Sequence, residues 1–169
     1  MARTYDSNDD DLEYHPPTRE EVFAQLEDWR QRLHKLYADI ISWLPEGEGY
    51  ETEIRDTMAD EGPMRYVGVP PQPVPELVVR RHGESVTLFH PDACWIIGAA
   101  GRVKVHDTSR RTRPHDLVLS DRFSAEPEWR FFSNDFYERL LNAVDRISML
   151  RGVKLDQEQL LVIVSANHG

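Results

Sequence analysis

Residues Thr18–Leu44 read TREEVFAQLEDWRQRLHKLYADIISWL. Apolar side chains recur at Val22, Leu26, Trp29, Leu33, Leu36 and Ile40, in alternating steps of four and three. That spacing is one face of an α-helix. Phe23, Tyr37, Ile41, Trp43 and Leu44 widen the stripe. Thr18 followed by Glu21 forms a capping box, and Glu20 and Glu21 suit the positive helix end. Pro45 and the Gly47–Gly49 segment end the helix. Its length is about 26 residues, roughly 39 Å.

So wide an apolar stripe requires a partner surface. A repeat of this kind suits a coiled coil, but Trp29 is bulky for a two-stranded seam. The extra width favours packing on a sheet or in a bundle. The seam of Val22, Leu26, Trp29, Leu33, Leu36, Ile40 and Trp43 is the candidate protein-interaction surface. It would dock a partner helix or a second copy of the chain, anchored by Trp29 and Trp43.

The chain of 169 residues is long enough for one hydrophobic core. Its formal charge of −10 is uneven. The first sixty residues hold 16 acids against 6 Lys and Arg, and the remainder 14 against 14. The N-terminal part would repel phosphate backbones. Residues 1–17 read as a flexible acidic tail, and 18–169 as a single α+β domain with a Pro-rich connector at 62–76. The acidic start carries no apolar h-region, and no apolar run reaches membrane-spanning length, so a cytoplasmic setting away from membranes is expected. Cys94 is the only cysteine, which excludes an intrachain disulfide and Cys-rich metal sites. Within Ala93-Cys94-Trp95-Ile96-Ile97 it reads as a small buried hydrophobe.

Beyond the helix, Glu51–Asp60 reads as a short helix or turn, and 69–75 as a stiff Pro-rich strap. Residues 76–132 suggest antiparallel strands at Leu77–Val79, Val86–Phe89, Cys94–Ile97, Arg102–His106, Leu117–Leu119 and Trp129–Phe132. Turns are expected at His82-Gly83-Glu84, His90-Pro91-Asp92 and Gly98–Gly101. Alternation in Arg102–His106 points Val103 and Val105 inward. A second helix is expected over Asn134–Leu150, and Leu161–Val164 reads as a late strand or buried helix. The expected fold is α+β: a mainly antiparallel sheet of four to six strands packed against the long N-terminal helix and a second, C-terminal helix.

Three functional readings follow. The first is a non-catalytic interaction or accessory protein working through the helix seam, with protein as partner, itself as a homodimer. The second is nucleic-acid or anion binding by Arg102, Lys104, Arg110, Arg111 and Arg113, whose Arg forks suit phosphate. The third is a small metal-dependent enzyme using His90, Asp92, His106 and His115. Each adjacent His/Asp pair is a poor chelate, because neighbours in a strand face opposite sides. The chain lacks a Walker lysine loop, a Gly-x-Ser-x-Gly elbow, His-Glu-x-x-His and Cys-x-x-Cys. No catalytic residue, resident metal or cofactor is therefore assigned.

Overall fold

The computed structural model describes residues 15–107, 115–120, 126–133 and 151–165. Helix α1 runs Arg19–Trp43. The expected capping box is formed: the Glu21 N–H donates to Thr18 Oγ1 at 3.2 Å, and the Thr18 N–H donates to Glu21 Oε2 at 2.7 Å. Leu44, in an extended conformation, stops the helix before Pro45.

Seven strands follow: β1 (Tyr50–Ala59), β2 (Gln72–Arg81), β3 (Glu84–Ala93), β4 (Arg102–His106), β5 (His115–Ser120), β6 (Glu128–Phe132) and β7 (Val153–Lys154). They form one antiparallel sheet in the order β1-β2-β3-β4-β5-β6-β7. The strand count thus exceeds the expected four to six. A short helix α2 (Gly62–Tyr66) lies between β1 and β2, and helix α3 (Gln157–Ser165) follows β7.

Side chains from α1, the sheet and α3 share one core. It holds Trp29, Leu33, Leu36, Tyr37 and Ile40 of α1 with Leu77, Val79, Phe89, Val103, Val105 and Leu117 of the strands. Leu160, Ile163 and Val164 of α3 join it. A smaller cluster joins Val22 and Leu26 to Met64 and Val69. Val22, Leu26, Trp29, Leu33, Leu36 and Ile40 are all buried within the chain, and Trp43 is half-buried against the same core. The helix seam expected to dock another molecule therefore packs within this chain, from Trp29 to Ile40 on the sheet and at Val22 and Leu26 on Met64 and Val69. Leu77, Val79, Phe89, Val103, Val105 and Leu117 give the sheet the largely apolar face that covers Trp29 to Ile40.

Other local expectations change. Of the 51–60 segment read as a helix or turn, all but Asp60 lies in β1. Residues 72–75 of the Pro-rich strap open β2, and His90-Pro91-Asp92 lies inside β3 rather than in a turn. Cys94–Ile97 is not a strand of the sheet; Ile96 forms only an isolated bridge with Ala99. Leu161–Val164 is helical, because Asp156 caps α3: its Oδ1 accepts the Gln159 N–H at 2.8 Å. The burial of Leu160, Ile163 and Val164 has helical spacing. The His82-Gly83 turn forms as expected, with both residues at positive φ (53° and 84°) as a tight hairpin demands. Asn134–Leu150 and most of the 1–17 tail lie outside the described residues.

The prolines of β2 determine which way β1 points its backbone. Pro73 opposes Met58, and Pro75 opposes Asp56. A proline has no N–H, so neither pair can exchange the two bonds of a hydrogen-bonded antiparallel pair. Both must be the wide, non-bonded type. The flanking pairs, Arg55 with Glu76 and Thr57 with Val74, carry the ladder bonds. The carbonyls of the two prolines turn away from β1 and meet α1 instead. Arg30 Nε donates to the Pro73 carbonyl at 2.8 Å, and the Tyr37 hydroxyl lies 3.1 Å from the Pro75 carbonyl and 3.2 Å from that of Phe89.

Candidate functional site at the β1 edge

By the same parity, Thr52, Ile54, Asp56 and Met58 direct their N–H and C=O groups away from β2. Strand β1 ends the strand order, so these groups face the outer edge of the sheet, where no described strand pairs with them. The strand is ten residues long and in unbroken register with β2. Every position from Glu51 to Asp56 is exposed, so neither face of this stretch is covered. Ile54 and Met58 are 44% and 59% exposed. They share with Tyr50, Thr52 and Asp56 the face turned toward the α1 side, since Ile54 opposes buried Leu77 and Thr52 opposes buried Val79. Glu51, Glu53, Arg55 and Thr57 lie on the other face.

A row of charge-paired side chains extends inward from that second face. Glu53 Oε2 accepts from Arg80 at 2.6 Å, and Arg55 Nε donates to Glu76 Oε1 at 2.6 Å. The second Glu76 oxygen lies 2.8 Å from His90 Nδ1. Glu76 is only 6% exposed. Burial pushes its carboxyl upward, but the hydrogen bonds from His90 and Arg55 outweigh that and hold it below its ordinary value. An ionised carboxylate only accepts, so His90 Nδ1 carries the proton and donates. His106 lies on the same face, one diagonal from His90. Burial, with the neighbouring His90, keeps it below its ordinary value.

A buried carboxylate orienting an imidazole is the geometry of an acid–base dyad. Here both carboxylate oxygens are engaged within the sheet, and two clefts that described residues form beside α1 open elsewhere. The larger, about 540 Å³, is lined by Arg32, Lys35, Trp43, Trp129 and Lys154 among others. Two of those cations are already paired, Arg32 with Asp28 and Lys154 with Glu128. The smaller cleft, about 240 Å³, is bordered by Cys94. Burial, reinforced by Glu61 and Asp28, pushes its thiol up to about 12, so it remains protonated and unreactive at neutral pH. Glu61 also accepts the N–H groups of Cys94 and Trp95, at 2.8 and 3.1 Å.

The residues expected to bind anions divide. Arg102 and Lys104 converge on the Asp92 carboxylate, at 2.6 and 3.4 Å, so much of their charge is offset locally. Arg110, Arg111 and Arg113 lie outside the described residues. The expected metal set does not converge. His90 and His106 share one face, whereas His115 opposes Val105 and lies 5.2 Å from the Phe131 ring on the other. Asp92 is engaged by Arg102. Among the described residues no three His, Cys, Asp or Glu side chains gather as a metal would require. None of the described helices is long and apolar enough to cross a membrane.

No protein-family model, curated protein or solved structure matches the chain.

The β1 edge was missed in the sequence because its apolar content is thin. Its signal was the period-two placement of Tyr50, Thr52, Ile54 and Met58 against Glu51, Glu53 and Arg55, interrupted by Asp56.

Proposed function

We propose that this chain is a non-catalytic interaction protein that takes its partner by strand addition along β1. One observation carries the reading: a ten-residue edge strand whose outward backbone groups at positions 52, 54, 56 and 58 meet no described partner. Main-chain hydrogen bonds would supply affinity, and alternate side chains the selectivity. Long edges are usually blunted by a proline, a bulge or an inward charge. Strand β1 contains no proline and its register with β2 is unbroken; the face turned toward α1 carries one charge, the exposed Asp56, between the apolar Ile54 and Met58. The charges on its other face are of mixed sign, which selects a partner rather than repelling all.

Nucleic-acid binding is less supported, because Asp92 engages the two described cations of the basic segment.

The test is a photo-reactive benzoylphenylalanine placed at position 54, with position 162 on α3 as an exposed control. In an extract of the source cells, position 54 should yield a defined protein adduct and position 162 none. Equal labelling at both positions, or no adduct at 54, would refute edge docking.

A further inference from the structure

We infer that the occupant of the β1 edge is a second copy of this chain, paired antiparallel about a twofold axis passing between the two Ile54 residues. The inference rests on the edge-docking reading and names its partner.

Strand parity limits the choices. In a twofold antiparallel pair, residue i of one chain opposes residue j of the other, with i and j summing to a constant. Outward-directed groups must meet outward-directed groups, so the even positions of β1 must oppose even positions. Only even sums meet that condition. The side chains then distinguish among them.

A twofold axis at Glu53 stacks that carboxylate on its own copy, and an axis at Arg55 does the same with guanidinium groups. An axis at Asp56 opposes two aspartates, and one at Thr52 sets Glu51 against Glu53. Like charges directly opposite are unfavourable. An axis at Thr57 also avoids like charges but overlaps only residues 55–59, whereas an axis at Ile54 removes all these conflicts over residues 50–58. Ile54 then meets Ile54, Tyr50 meets Met58, and Thr52 meets Asp56 on the face toward α1. On the other face Glu53 meets Arg55 twice.

The charge pairing also continues what each chain already contains. Glu53 is held by Arg80 and Arg55 by Glu76 within one chain. Across the axis the order becomes Arg80, Glu53, Arg55 and Glu76, alternating in sign and repeated twice. Arg55 uses Nε toward Glu76, and its terminal nitrogens, which meet no described carboxylate, can reach the second chain. In this register every outward N–H and C=O from Thr52 to Asp56 acquires a partner, and two seven-stranded sheets become one.

Three measurements test the pairing. Sedimentation equilibrium of the unmodified chain at micromolar concentrations should give the two-chain mass; a single-chain mass throughout would overturn the inference. Register is then read by disulfide trapping in a Cys94→Ala background. Ile54→Cys should oxidise to a covalent dimer, because the opposed Cα atoms would be about 5.5 Å apart. Asp56→Cys alone should not, because its two copies would be about 13 Å apart along the strands. Chains carrying Thr52→Cys and Asp56→Cys, once mixed, should cross-link to each other. Trapping by Asp56→Cys alone as efficient as by Ile54→Cys would overturn the register, as would no trapping at position 54.

The photo-adduct at position 54 separates the two levels. A mass of twice the chain supports self-pairing. Any other defined mass sinks the second copy while leaving edge docking intact, and no adduct sinks both.

Discussion

Gly101 packs against the ring of Trp29, with no space between them for a Cβ. Its φ of +148° is one that L side chains rarely adopt. The loop from β3 to β4 is thereby pressed onto α1, and Trp129 of β6 approaches the same indole with centroids 5.9 Å apart. Gly101→Ala should cost about 2 kcal/mol or more, from overpacking and backbone strain together. Trp29→Ala should cost about 3–5 kcal/mol, because a fully buried aromatic is removed. Urea unfolding measures both. If Trp29→Ala changed the assembly state but not the unfolding midpoint, the indole would be acting outside the core.

Tyr37 places its hydroxyl between the carbonyls of Pro75 and Phe89, which lie on adjacent strands. It sits where β2 extends past the start of its pairing with β3. Burial, with Glu76 nearby, pushes the phenol strongly upward, so the proton stays on the oxygen and remains available to donate. Tyr37→Phe keeps the ring and deletes the donor. A loss of about 1–3 kcal/mol is expected, from carbonyls left without that donor. Hydrogen exchange should rise at Leu77 and Phe89 rather than uniformly. Unchanged stability would mean that water replaces the hydroxyl without cost.

Acid should destabilise the fold in two stages. The folded state holds His106 below its ordinary value of 6.5. The unfolded chain therefore binds that proton first, and stability falls as pH drops below about 6.5. Glu76 is held below its ordinary 4.5. Its contribution is complete above that value and is lost as pH falls through the lower, folded-state value. Glu76→Gln should reduce stability at neutral pH by about 1–3 kcal/mol and flatten the lower part of the acid limb. Thermal melts from neutral to acid pH, comparing the unmodified chain with Glu76→Gln and His106→Leu, check both stages. An identical acid limb in Glu76→Gln would remove the carboxylate from this account.

The parts of the fold that were legible in the sequence share a property: each is a pattern that shows itself, or repeats, within about two turns or one hairpin. The Thr18–Glu21 box, the stripe through Ile40, the alternation at Val103 and Val105 and the His82-Gly83 turn are all local patterns. The misread segments depend on distant partners. Glu51–Asp60 is thin in apolar residues because it is an edge, and its strand character depends on Gln72–Arg81 opposite it. Leu161–Val164 is apolar throughout, so period alone left strand and helix both open, and the nearby Asp156 cap decided for helix. The Glu76–His90 contact joins residues 14 apart in sequence, and Arg55–Glu76 joins residues 21 apart. No short spacing announces either.

By itself the sequence determined that Val22 to Ile40 would be covered, because an apolar helical face of that width is too costly to leave in water. It did not determine by what. Tertiary structure decided that the cover is the chain's own sheet, with Met64 and Val69 over Val22 and Leu26, and that among the described strands a long unpaired edge lies at β1. The reason is that side-chain period reports which faces avoid water, whereas hydrogen-bond parity depends on which strand lies opposite. Here Pro73 and Pro75, on the neighbouring strand, turn the free N–H and C=O groups of Thr52, Ile54, Asp56 and Met58 outward.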